Sequence, residues 1–336
     1  MAGLGADGPV DGGAHATEGA GDEWICAGVR RVDRLSDHAV EKMKETMDVV
    51  QGRRLVIAEA TYQHLFTADP AARHLFSLEF RSESNMQDRT ARAHGNDSAD
   101  DARKKSGAGE KPQMHLHGQA QVVAQMLFRF LGSLDNIRDF ERHVSVIVAK
   151  HAARNIQPEQ FFEWGNGFLS AIRAQLGELA TPDVMDAWTE AYAYLATLMI
   201  TKQQEMVEER ASQRGGWKGF RPFIVKRLEA VASHGENKAV KLTLVPEDGQ
   251  PTLVQKPGQY VCVRVSIPVE AGESPAVMHR NYQCAGIPTQ GQYEVEVTES
   301  YSYRSQSSSN EILLRSLHEG SRLDLSVPLG GFLVGK

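Results

Sequence analysis

Apolar positions recur at helical spacing through the first part of the chain and at a spacing of two through the second. Leu55, Tyr62, Leu65 and Phe66 form one helical stripe, and Gln119, Val123, Leu127 and Phe130 form a second. Val144, Ile147, Val148 and His151 make a third, and Trp188, Tyr192, Leu195 and Met199 a fourth. Thr181, Pro182 and Asp183 supply a cap, a first-turn proline and a favourably placed acid for the last of these helices. After His151 the period breaks at Asn155, Ile156 and Gln157, and Pro158 can open a new helix because the first helical position needs no amide donor. The reading is helical from about Trp24 to Gly215.

Beyond the segment RGGWKGFRPF the period falls to two. Leu242 and Leu244, then Tyr293, Val295 and Val297, then Leu323, Leu325 and Val327 alternate with polar neighbours, and the clusters PEDGQP, KPGQ and PTQGQ separate the runs. That pattern predicts a small antiparallel β-barrel. The expected organisation is a tail at 1–23 too poor in apolar residues to order itself, a helical domain at 24–214, and a barrel domain at 215–336. A mixed-charge stretch at about 79–113 cannot hold a core and reads as a surface insertion in the helical domain.

Composition narrows the function classes. A chain of 336 residues with net charge -6 lacks the basic field of a nucleic-acid binder. No apolar run is long enough to span a bilayer, and the opening residues carry neither a secretory nor a transit signal, so a cytoplasmic protein is expected. Three separated cysteines, Cys26, Cys262 and Cys284, suggest neither a zinc knuckle nor a disulfide framework and fit a reducing compartment. The sequence has no GxSxG elbow, GxGxxG loop or Walker loop, and the His115–His117 pair reads as a helix entry.

The remaining chemistry lies on the helical stripes. His151 falls on an apolar face at the end of a helix, where it is either a core histidine with a bonded ring or an axial metal ligand. Tyr62 and Gln119 are also polar positions on apolar faces, and a buried polar group needs a partner. The three either satisfy one another or surround a haem. Residue pattern alone leaves both readings open.

The segments TYQHLFTADPAARHLFS, GQAQVVAQ, KHAARNIQPEQF and DAWTEAYAYLATLMI resemble the globin half of the flavohaemoglobin family, and RGGWKGFRPF, KPGQY, RNYQCAG and SSSNEILL resemble its flavin-binding half. The resemblance implies an all-α globin domain followed by an antiparallel β-barrel of the ferredoxin-reductase FAD-binding type. It implies haem b with His151 as the iron ligand, Tyr62 and Gln119 as the catalytic distal pair, and Phe76 and Val123 against the haem. It implies FAD, with Arg280 at its phosphate, Tyr282 beside the isoalloxazine, and Ser309 and Asn310 on the pyrophosphate side.

The implied activity is nitric oxide dioxygenation, a nitric oxide detoxification in which O2 and NO are bound and electrons pass through flavin to haem. The NAD-binding domain of the family is not in the sequence, so the expectation is that the chain is a fragment, that electrons arrive from a separate flavoprotein reductase, or that turnover is not its function. The alternative expectation is a non-enzymatic sensor or store for O2 or NO with a degenerate flavin domain. Three positions depart from the family pattern: Phe161 replaces a proximal tyrosine, Gln203 an acid, and Gln283 the serine of the flavin motif. Loss of that hydroxyl and that charge should make the histidine less electron-donating and raise the iron potential.

Overall fold

The computed structural model describes residues 24–26, 28–75, 116–231, 239–267, 276–298 and 309–330. The tail at 1–23, the insertion at about 79–113 and Phe76 lie outside these residues. Five helices follow one another: α1 (Asp37–Ala68), α2 (Leu116–Gly132), α3 (Ile137–Ala153), α4 (Pro158–Leu176) and α5 (Pro182–Ala211).

Their ends follow from local chemistry. Ser36 caps α1 by accepting the Ala39 amide at 3.0 Å, and Thr181 caps α5 by accepting from Val184 at 3.3 Å. Pro158 opens α4 behind a capping box in which Gln160 accepts the Gln157 amide at 2.9 Å. At the end of α3, Asn155 adopts φ 54, and Ile156 donates its amide to the His151 carbonyl at 3.1 Å. The helix therefore stops within a turn of the histidine.

The helical reading from Trp24 needs correction at its start. Trp24–Cys26 (β1) and Val29–Arg30 (β2) form an antiparallel hairpin. Two strands this short leave no periodic signal, and tertiary contact decides their conformation. Gly28 turns at φ 85, and a Cβ there would stand 2.3 Å from the Phe162 ring on α4. The chain beyond the hairpin is tied to α5, Val32 donating its amide to Thr197 Oγ1 at 3.0 Å and Ser36 donating its hydroxyl to Glu190 at 2.9 Å.

The four predicted stripes lie inward for most of their length. Tyr62, Leu65, Phe66, Leu127, Phe130, Val144, Val148, Trp188 and Tyr192 are all buried. α1 and α4 cross most closely at Gly167, where a Cβ would lie 2.9 Å from His64 Cβ and 3.0 Å from the Thr61 carbonyl.

The second part is an antiparallel barrel of β3 (Phe220–Val231), β4 (Ala239–Pro246), β5 (Gln259–Ile267), β6 (Ala276–Ala285), β7 (Tyr293–Thr298) and β8 (Arg322–Ser326). The pairing runs β6-β7-β4-β3-β8-β5 and closes through β5 with β6; β9 (Leu329–Gly330) adds to β5. Closure leaves none of these six strands with two open edges. Phe223, Leu242, Leu244, Val261, Val263, Tyr293, Val295 and Leu323 fill the interior, with Leu313 from α6 (Ser309–Ser316) joining them.

An apolar seam joins the two parts. Ala152 and Ala153, at the end of the histidine helix, pack with Leu253, Cys262, Val327 and Leu329 of the barrel. Trp217 in the joint donates its indole N–H to the Leu325 carbonyl at 3.0 Å.

Candidate functional site

His151 occupies the last turn of α3 and Ile147 the turn before it, and this spacing lets the imidazole reach back to its own helix. Nδ1 lies 2.8 Å from the Ile147 carbonyl. A carbonyl can only accept, so Nδ1 carries the proton and the lone pair sits on Nε2. Burial, the largest cause, lowers the histidine's pKa, and the neighbouring charges of Arg154 and Lys150 act in the same direction. The ring is thus neutral and oriented, which are the two conditions for binding a metal through Nε2.

Among the described residues, the charges acting on His151 are those of Arg154 and Lys150. The Phe161 ring stands 5.9 Å from the imidazole and tilted 30° to it. Gln203 on α5 donates its amide to the Ile156 carbonyl at 2.6 Å, while its Oε1 is buried without a hydrogen-bond partner among the described residues.

Tyr62 lies on α1 in a second cluster with Ala58, Leu65, Phe66, Ala72, Ala120 and Ala124, against which Val123 is also packed. The tyrosine is 3% exposed. Gln119, in the first turn of α2, donates its amide to the Tyr62 oxygen at 3.4 Å. Here the sequence expectation is only partly met, because Gln119 as a residue is exposed rather than buried. Its position at the start of α2 leaves the side chain open on one side while its amide reaches inward.

One residue of this site went unread in the sequence. Trp164 on α4 packs against the Tyr62 cluster. Burial pushes the Tyr62 pKa up to about 12, and the hydrogen bond from Gln119 opposes that rise. Phe161, beside His151, and Trp164, beside Tyr62, are one turn apart on α4, so the two halves of the site meet on a single stretch of helix.

The donor set fits a haem. A neutral imidazole with its free lone pair fixed at Nε2 is a suitable axial ligand, and a tyrosine kept protonated in an apolar cluster is a suitable distal hydrogen-bond donor.

In the barrel, the strand RNYQCAG is the second half of β6. Tyr282 is 7% exposed within the barrel core and donates its hydroxyl to Asn310 Oδ1 at 2.8 Å; Asn310 in turn donates to the Thr298 carbonyl at 2.9 Å. Two of the four predicted flavin residues are therefore in direct contact, at the junction of β6 and α6. Arg280 shares the Tyr282 face of β6, opposite Val263 on β5, and adds a cation of the kind that pairs with phosphate. Ser309 begins α6, and its side chain lies outside the described residues. Gln283 points out to solvent on the opposite face.

Arg221 is a binding cluster of another kind. It donates to Asp248 at 3.1 and 2.5 Å and to the Gln250 and Pro251 carbonyls at 3.0 Å each, while lying over the Trp217 and Phe223 rings. This arrangement fastens the turn after β4 to β3.

Comparisons with known proteins agree with this construction. A family profile described as Globin matches residues 102–199. A flavohemoprotein of Halalkalibacterium halodurans is 33% identical over 216 residues, which is 64% of this chain and 51% of that protein. One from Bacillus subtilis is 26% identical over 301 residues, 89% of this chain and 63% of that protein. The solved flavohemoglobin of Malassezia yamatoensis, with bound FAD and heme, shares the fold at a TM-score of 0.61 and 20% identity, over 88% of this chain and 65% of its own.

Fold and site define a globin followed by an antiparallel barrel. The globin part of the chain matches the family profile, and the chain is similar to flavohemoproteins across both of its parts. It spans 51% and 63% of the length of the two curated relatives just described.

Proposed function

We propose that this chain is the haem- and flavin-binding part of a nitric oxide dioxygenase, which turns NO and O2 into nitrate with one electron delivered for each NO. Atoms and charge balance, since NO, O2 and one electron give the nitrate anion. Haem supplies the iron at which this oxidation takes place, and FAD supplies electrons singly.

The residues carry the rest. His151 holds the iron through Nε2, with its ring fixed by the Ile147 carbonyl. Tyr62 donates its hydroxyl proton to the distal ligand, and Gln119 positions that hydroxyl. Leu65, Phe66 and Val123 keep water away from it. Phe76 is assigned to the haem face on the resemblance. Arg280, Tyr282, Ser309 and Asn310 are assigned to FAD, Arg280 meeting its phosphate and the Tyr282–Asn310 pair bracing the strand end against α6.

The observation carrying this reading is the bond between Tyr62 and Gln119, which come from different helices and meet in an apolar cluster against which Trp164 packs, one turn along α4 from the Phe161 that flanks His151. His151 takes no part in that bond, its Nδ1 being satisfied by the Ile147 carbonyl, so the three residues do not simply satisfy one another.

Stopped-flow mixing of the oxygenated protein with NO tests it, run with and without an added flavoprotein reductase. Repeated turnover to nitrate when reductant is supplied is the expected outcome. A single stoichiometric event ending in a stable ferric form under both conditions would favour a sensor or store of O2 or NO.

A further inference from the structure

The histidine helix hangs on α5 from both of its ends. Beyond the C-terminal end, Gln203 donates to the Ile156 carbonyl at 2.6 Å, and the Ile156 amide donates to the His151 carbonyl at 3.1 Å. Near the start, Tyr194 donates its hydroxyl to Glu141 Oε1 at 2.9 Å. Tyr194 is 3% exposed, and burial, followed by the Glu141 carboxylate, raises its pKa, so the proton stays on the hydroxyl. Glu141 continues the stripe that ends in His151, since Glu141, Val144, Val148 and His151 follow one another at spacings of three, four and three. It lies about 15 Å before the histidine along the helix axis.

Tyr194 acts from an element that is itself fixed. On α5, Trp188 donates its indole N–H to Thr46 of α1 at 3.1 Å, and the Tyr192 ring stacks on Trp164 of α4 with ring centres 5.8 Å apart at 22°. The start of α3 is held less directionally. Asn136 gives it no side-chain cap. Phe140 meets Phe130 edge-on at 5.3 Å, and Val144 and Val148 are buried in the core. Apolar contacts of this kind resist separation but set no direction along the axis. A hydrogen bond does set one, because it weakens steeply with misalignment. Within α3 the imidazole is fixed to its own helix by the Ile147 carbonyl at 2.8 Å, so the ring goes where the helix goes.

We propose that Tyr194 and Glu141 are positioning residues for the iron ligand: their bond fixes the height and rotation of the histidine helix against α5, and thereby the tension on the bond from His151 Nε2 to iron. The inference rests on His151 being that ligand. Both residues act through α3 and need no contact with the haem.

The test compares the haem-loaded natural chain with Tyr194→Phe and with the paired variant Tyr194→Phe and Glu141→Leu. It reads the iron–imidazole stretching band of the ferrous, ligand-free form by resonance Raman spectroscopy. Tyr194→Phe removes the hydroxyl and leaves the carboxylate facing an apolar ring. The paired variant removes both polar partners, so the unmet acceptor disappears while the tie stays broken. Both should shift the band and release haem to a scavenging apoprotein about 3- to 10-fold faster, the factor for one hydrogen bond. Glu141→Gln keeps an oxygen that accepts the hydroxyl and should leave the band in place.

Urea denaturation separates positioning from stability. The paired variant should lie closer to the natural chain in stability than Tyr194→Phe does, yet keep the shifted band. A band unmoved in both variants overturns the proposal. So does a band shifted in Tyr194→Phe but restored in the paired variant, which would trace the shift to the stranded carboxylate. A natural chain with no iron–imidazole band, or one that keeps it in His151→Ala, defeats the reading of His151 and the tie with it.

Discussion

Gln203 donates its side-chain amide to the Ile156 carbonyl at 2.6 Å, tying α5 to the turn that ends the histidine helix. A carboxylate at that position would have no proton to give and would face the carbonyl oxygen. Gln203→Glu should therefore cost about 1–3 kcal/mol of stability at neutral pH, measured by urea denaturation. Burial beside a carbonyl raises the folded pKa of the introduced carboxyl above its unfolded value. The penalty is thus full above the folded pKa and disappears as pH falls to the unfolded value near 4.3 (approximately). A penalty unchanged between neutral pH and about pH 4 would contradict the bond.

The same position bears on the iron. With a phenyl ring 5.9 Å from the imidazole, no anion among the described residues raises the basicity of His151. The double variant Phe161→Tyr with Gln203→Glu should lower the ferric–ferrous potential relative to the natural chain. Spectroelectrochemical titration of both proteins decides this, and equal potentials would show that the ligand's basicity is set by the Ile147 carbonyl alone.

His151→Ala removes a buried imidazole whose Nε2 lone pair is fixed by the bond from Nδ1 to the Ile147 carbonyl. Haem uptake should be lost, with no Soret band after expression in excess hemin and purification. A retained band of unchanged position would move the iron ligand elsewhere.

Two helical glycines should respond oppositely to alanine. At Gly165 the new methyl would meet the Tyr192 ring at 2.1 Å, and the variant should lose about 1–3 kcal/mol and disturb the Trp164 stack. At Gly52, in α1, nothing lies within 4 Å, and alanine should add about 0.5–1 kcal/mol through its better helix propensity. Thermal melts of the two variants provide the comparison.

Arg221 is replaceable by lysine in charge but not in shape. Arg221→Lys keeps a cation and gives up the fork on Asp248 together with bonds to two carbonyls, so a loss of about 1–3 kcal/mol is expected. The Arg221 guanidinium beside Asp248 holds its carboxyl below the usual range. For an acid with a depressed folded pKa, the stabilisation is present above the unfolded value and lost as pH falls through the folded one. The difference between the two proteins should accordingly shrink below about pH 4.

The fold was legible wherever a period ran long enough to be counted. His151 was found because it completes the stripe of Val144, Ile147 and Val148, and the end of its helix because Asn155 and Pro158 follow. The barrel strands were found from alternation, as at Tyr293, Val295 and Val297. The hairpin of β1 and β2 was not, because a few residues have no period and Gly28 is fixed by a ring on α4. Trp164 was missed for a related reason. In FFEWGNGF it sits between aromatics and glycines with no polar stripe to mark it, and its packing against the Tyr62 cluster exists only once α1 and α4 have crossed. The two flanking glycines were the available clue, since paired small residues in a helix signal a close approach. The exposure of Gln119 was likewise beyond the pattern, which fixes a face but not how far a first-turn side chain is covered.

The two alanines that close the histidine helix rest on barrel side chains, so the last turn beneath the imidazole is built from both halves of the molecule. A globin cut loose at the joint would be left with a raw apolar end directly below the imidazole. The barrel therefore acts as a footing for that turn, and slack in its ninth strand would be felt as slack in the orientation of the imidazole.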